Sequence, residues 1–82
     1  MDWTNFRLYR TKGLKKITLD NIAQLTGLSI GYLNRIERGY ITEIKDKSKR
    51  QKFIKLYKTL QRQYKTHIKR QETIDRFIKL VR

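Results

Sequence analysis

Thr18-Leu-Asp-Asn-Ile-Ala-Gln-Leu-Thr-Gly27-Leu-Ser-Ile-Gly-Tyr-Leu-Asn-Arg-Ile-Glu-Arg-Gly39 decides the fold. Thr18 is an N-cap residue, Asp20 complements the helix dipole one turn in, and Ile17 stands where it staples onto Ile22. Gly27 stops this helix. Ser29 caps the next at once, with Leu28 and Leu33 in the same staple relation, and Gly39 closes it after Arg38. The pattern therefore predicts two short helices joined by a three-residue turn, the second running from about Ser29 to Arg38.

Upstream, Trp3, Phe6 and Tyr9 recur at helical spacing after Asp2, a candidate N-cap, and Gly13 supplies a stop, which predicts a first helix. Downstream, Tyr40 to Lys47 has no clear period, although Ile41 and Ile44 are expected to reach the core. Ser48 and Gln51 form the Ser-x-x-Gln pattern of a capping box and predict a fourth helix from near Lys49. From Phe53 through Leu56, Tyr57, Leu60, Tyr64, Ile68, Ile74, Ile78 and Val81 the apolar residues keep helical spacing, and the chain has no proline and no glycine beyond Gly39. Two outcomes are open: one helix of about 33 residues and near 50 Å, or a bend between Gln61 and Thr66.

The charge narrows the function. The 82 residues carry 21 basic and 7 acidic side chains, a formal charge of +14. Such an excess strains the folded state by self-repulsion unless a polyanion lies against it, and nucleic acid is the leading candidate. A membrane surface asks for one helix with a large apolar face and no core, whereas these apolar residues are spread over several segments. Two-thirds of the basic residues lie from Lys45 onward. There Lys52, Lys55, Lys58, Arg62, Lys65 and Lys69 follow at three- or four-residue steps, a continuous basic stripe that reads as a solvated face or as a phosphate-binding one.

Other classes are disfavoured. The chain has no cysteine and a single histidine, His67, so thiol chemistry, disulfides and thiolate metal sites are excluded and no nucleophilic triad or histidine pair is available. A non-enzyme without metal or cofactor is expected, and no ligand pocket is evident. No apolar run approaches the roughly 20 residues that span a bilayer, and the start, with Asp2 and Asn5, does not read as a signal peptide. A soluble cytoplasmic protein without a membrane partner is the expectation.

The Thr18–Gly39 stretch closely resembles the helix-turn-helix of the Xre or Cro-like phage-repressor family. Ala23 matches the small residue where the two helices cross, Gly27 the turn, and Ile22, Leu28, Leu33 and Ile36 the core between them. Arg-Ile-Glu-Arg-Gly is a habit of the family too. Phe6, Tyr9 and Arg10 resemble the end of its first helix, and Phe53-Ile-Lys-Leu-Tyr-Lys-Thr-Leu60 its fourth. The chain departs from the family in longer segments before Thr18 and after Gly39, and in having Leu19 where a glutamine is usual.

The resemblance implies an all-α, four- to five-helix, lambda-repressor-like DNA-binding domain over residues 1–60, followed by a long basic helical extension over 61–82. It implies a pairing of Arg10 with Glu37. It also implies that Ile30, Gly31, Tyr32, Asn34 and Arg35 face base edges in the major groove of double-stranded DNA, while Thr18, Ser29, Arg38 and Tyr40 hold phosphates. Lys52, Lys55 and Lys58 join the phosphate set from the basic stripe. For Tyr32 the alternative is packing beside the core; for Arg35 it is a phosphate.

The expected function is sequence-specific regulation of transcription, as a repressor in a phage, plasmid or other mobile element, on a two-fold operator bound by a homodimer. Ile74, Phe77, Ile78 and Val81 are the candidate dimer contacts, unless they fold back on their own core. The competing readings are an accessory or architectural DNA protein of replication, conjugation or recombination, and an antitoxin or other protein-interaction module that autoregulates. RNA binding is weaker, since the aromatics Trp3, Phe6 and Tyr9 look committed to the core.

Overall fold

The computed structural model describes residues 3–13 and 16–81, with Val81 described by its backbone alone. It is all-helical: α1 (Phe6–Thr11), α2 (Leu19–Thr26), α3 (Ile30–Glu37) and α4 (Lys47–Val81), with no strand among the described residues. No helix among them is long and apolar enough to cross a membrane.

The proposed cap at Asp2 lies outside the described residues, and α1 begins later than its aromatic period suggests. Trp3 precedes the helix, its carbonyl accepting from Phe6 N at 2.9 Å, and Asn5 occupies the N-cap without a side-chain bond. Lys12 forms the C-cap, one residue before Gly13.

The decisive stretch folds as its residues dictate. Thr18 Oγ1 accepts from Asn21 N at 3.2 Å and opens α2. Gly27 then takes φ +78°, the left-handed conformation that a Cβ penalises, and its N–H closes on the Ala23 carbonyl at 2.8 Å. Ser29 Oγ accepts from Tyr32 N at 3.1 Å and opens α3. At the far end Gly39, with φ +82°, donates to Ile36 O while Tyr40 donates to Arg35 O, the pair of bonds that defines a Schellman close. Thr26, buried between the helices, is satisfied locally: its hydroxyl donates to Ile22 O and accepts from Leu28 N.

α4 starts two residues before the expected position, and the Ser48–Gln51 capping box is not what starts it. Asp46 is the cap, its Oδ1 accepting from Lys49 N at 3.0 Å. A carboxylate there both satisfies an orphan donor and complements the helix dipole, so it outcompetes a serine two residues on. With nothing to break it, α4 runs 35 residues without interruption, about 52 Å at 1.5 Å per residue, which accounts for the 53 Å long axis of the molecule. The bend between Gln61 and Thr66 does not occur in its hydrogen-bonded span.

One core joins the four helices. Ile22, Leu28, Leu33 and Ile36 meet in the α2–α3 pair, Ile44 folds in from the loop, and Ile41 and Ala23 pack at its edge. Against them the α1 segment and α4 interleave aromatic rings. Trp3 stands edge-on to Phe53 and Tyr57 at 4.9 and 5.2 Å, Phe6 lies 5.0 Å from Phe53, and Tyr9 reaches Tyr57 and Tyr64. Such pairs add about 0.5–1.5 kcal/mol each beyond burial, enough to fix the first half of α4 to the core. Leu60 is its last buried residue and Tyr64 the last large one packed on the core. Every described side chain from Lys69 to Leu80 is exposed, so Ile74, Phe77 and Ile78 do not fold back.

Candidate nucleic-acid interface

The outward face of α3 follows from its inward one. Leu33 and Ile36 are fully buried, and at about 100° per residue Gly31, Arg35 and Arg38 fall on the opposite side, in one line at four- and three-residue steps. All three are exposed. Asn34, half-buried, and Ile30, 48% exposed, flank this line on one side. A Cβ added at Gly31 would meet nothing within 4 Å, so the glycine leaves a gap in a surface that is otherwise side chain.

Tyr32 turns the other way and packs against the core, which leaves its edge at the base of the helix rather than on the line with Arg35. Ser29 and Thr18 accept helix N–H groups as caps, and the Thr18 hydroxyl donates to Asn21 Oδ1, so the donors a phosphate could use here are the Ser29 O–H and the backbone N–H groups of the two helix starts. Arg38 and Tyr40, the latter 76% exposed, stand free at the other end of α3.

The electrostatics of this face are set by a neutralisation. Glu37 is the one carboxylate on α3, and Arg10 Nε takes it at 2.8 Å with both side chains nearly buried. The exposed part of α3 therefore presents Arg35 and Arg38 without a competing acid.

Two basic residues overlooked in the sequence stand next to this helix. Lys45 and Lys49 line a shallow groove with Gly27, Leu28, Ser29 and Tyr32, together with the acids Glu43 and Asp46, and Lys49 Cε would lie 3.5 Å from a Cβ at Gly27. The start of α4 at Asp46 puts Lys49 in the first turn, but its place beside the α2–α3 turn follows from the path of the loop and carries no local signal in the sequence. Lys55 and Lys58 are placed differently. With Phe53, Tyr57 and Leu60 turned inward, Lys55, Lys58 and Arg62 cluster on the outer face of α4, away from the core into which α3 packs. Lys52 is exposed on the flank between the two faces. The basic residues thus divide into a small group beside α3 and a long stripe along α4. Ile74, Phe77 and Ile78 are exposed on the distal part of α4, while the side chain of Val81 lies outside the described residues. Comparison with known proteins finds no matching family model, no similar curated protein and no similar solved structure.

Proposed function

We propose that the chain is a sequence-specific double-stranded DNA-binding regulator of transcription, a repressor of the mobile-element kind that its resemblance to Xre and Cro-like proteins implies, with α3 as the helix that enters the major groove. One observation carries the reading: a short helix, capped at both ends and fixed by Leu33, Ile36 and the Arg10–Glu37 pair, turns Gly31, Arg35 and Arg38 outward in a line free of acid. In the groove Arg35 bonds guanine O6 and N7, Asn34 bonds adenine, and Ile30 rests on a thymine methyl, because those side chains match those donor and acceptor patterns. Lys45, Lys49, Arg38 and Tyr40 hold the flanking phosphates, with the helix starts at Thr18 and Ser29.

Selection of bound sites from random duplexes at physiological salt tests the proposal. An enriched inverted repeat is expected; a pool that stays random defeats it. A second reading, an accessory DNA protein with little sequence preference, is favoured by the exposed basic stripe of α4. It predicts a steep loss of affinity with salt and a small ratio of specific to non-specific binding.

A further inference from the structure

The residues that seat α4 on the core continue, at the same spacing, into the part that touches nothing. Phe53, Tyr57, Leu60, Tyr64, His67, Gln71, Ile74, Ile78 and Val81 alternate steps of four and three, an unbroken seven-residue repeat. Its first four members are occupied by the chain's own core. Beyond them Ile74 is 50% exposed, Ile78 44% and the adjoining Phe77 67%, on a projecting helical segment of about 15 residues, a length that is marginal without packing.

We infer that this distal segment, from His67 to Val81, pairs with the same segment of a second copy as a parallel, in-register, two-stranded coiled coil. The inference refines the dimer expected for a two-fold operator and rests on that reading only for the operator. Three observations select the occupant and its direction.

The first is charge. In the seven-residue frame Arg70 and Asp75 occupy the two columns that flank the seam, five residues apart, which is the offset at which such columns face each other between parallel helices. Each copy therefore sets Arg70 against Asp75 of the other, twice by symmetry. An antiparallel partner would instead oppose Arg70 to its own column of Gln63, Arg70 and Phe77, which holds no acid. Of the other basic residues, Lys65, Lys69, Arg76 and Lys79 fall on the far side of the helix, while Arg82, just past the last seam residue, shares the column of Asp75.

The second is Gln71, a polar residue in the seam between His67 and Ile74. In register it meets Gln71 of the second copy and hydrogen-bonds across; a slip of one repeat sets one glutamine against Ile78 and the other against Tyr64 and loses that bond, so Gln71 favours the in-register alignment.

The third is room for the two cores. A seven-residue repeat on a straight α-helix drifts about 20° per repeat, so over the four repeats from Phe53 to Val81 the seam turns by about 80°. Between the middle of the core-bearing stretch, residues 53–64, and the middle of the distal one, residues 67–81, the turn is about 45°, so the two cores sit off the line joining the paired helices, on opposite sides of the two-fold axis. The α3 helices are then related by the same two-fold axis.

The test uses the full chain without DNA. Sedimentation equilibrium should give a dimer with a dissociation constant in about the micromolar range, strengthened by salt as like charges are screened, whereas DNA binding is weakened by it. Ile78→Asp should weaken the dimer by at least about 100-fold while leaving the fluorescence of the single tryptophan, Trp3, unchanged. Arg70→Glu and Asp75→Arg should each weaken it alone, and an equimolar mixture of the two should restore it. Gln71→Cys, the sole thiol in such a chain, should form a disulfide between copies under mild oxidation. A monomer at about 100 µM, a trimer, a mixture that fails to restore pairing, or the absence of the disulfide each overturns the inference. Site selection is read separately: a monomer that still enriches a sequence sinks only the pairing, and a dimer that enriches none sinks only the DNA reading.

Discussion

Arg10 Nε donates to Glu37 Oε1 at 2.8 Å while its Nη1 donates to the carbonyl of Ile17, so one guanidinium ties α1, the entry to α2 and the end of α3 together. The side chains are only 12% and 7% exposed. Removing one partner leaves the other charge without compensation in a dry site, and Glu37→Gln should cost about 3 kcal/mol, the lower end for such a pair because Arg10 keeps its carbonyl bond. Urea unfolding followed by tryptophan fluorescence measures it. Arg10→Met combined with Glu37→Leu should recover most of the loss, since a packed apolar pair carries no desolvation penalty; a double variant as unstable as the single ones would mean that the contact to Ile17 carries the stability.

The start of α4 gives a second prediction. Asp46→Ala removes the acceptor for Lys49 N and a negative charge from the helix N-terminus, and should destabilise the fold by about 1 kcal/mol. Ser48→Ala replaces an exposed residue already inside the helix and should change stability by no more than about 0.5 kcal/mol. Equal effects of the two would restore the serine as the cap.

How much of this was legible depended on whether a signal was local. Thr18, Gly27, Ser29 and Gly39 act on backbone groups within a few residues, and the structure uses each as the sequence implies. The packing of Ile22, Leu28 and Leu33 was read locally as staple contacts, whereas their meeting with Ile36 in one core and the pairing of Arg10 with Glu37 across 27 residues came from the family resemblance. The cap of α4 was misplaced because serine and aspartate both qualify by type, and the choice between them rests on charge at the helix end. Of the candidate site, the outward line on α3 was readable from helical spacing alone. The approach of Lys45 and Lys49 to Ser29 was not, since it depends on the path of an aperiodic loop held to the core by Ile44 and, at its edge, by Ile41.

Gly31 separates stability from recognition. It is the second residue of α3, in the first turn, with open space where a Cβ would go, so Gly31→Ala should stabilise the protein by about 0.5 kcal/mol. If the α3 backbone approaches DNA at that gap, the same methyl group should lower affinity for the selected site by several-fold. Thermal unfolding and a binding titration on the same variant decide it: a variant both more stable and equally tight would remove Gly31 from the interface.

Arg35 and Lys49 should fail in different ways. Arg35 is on the outward line of α3; in the proposed complex it makes a bidentate bond to guanine, so Arg35→Ala should relax preference at one base pair by about 1–3 kcal/mol. Lys49 stands beside the α2–α3 turn; in the proposed complex it holds a phosphate, and Lys49→Ala should then weaken every sequence alike and reduce the salt slope by about 1. Lys58, on the outer face of α4, should matter little to a duplex bound by α3. Titrations of matched and single-mismatch duplexes over a range of salt resolve all three. Were Lys58→Ala to reduce the slope as much as Lys49→Ala, the DNA would have to contact both faces of α4, and the stripe rather than α3 would set the mode of binding.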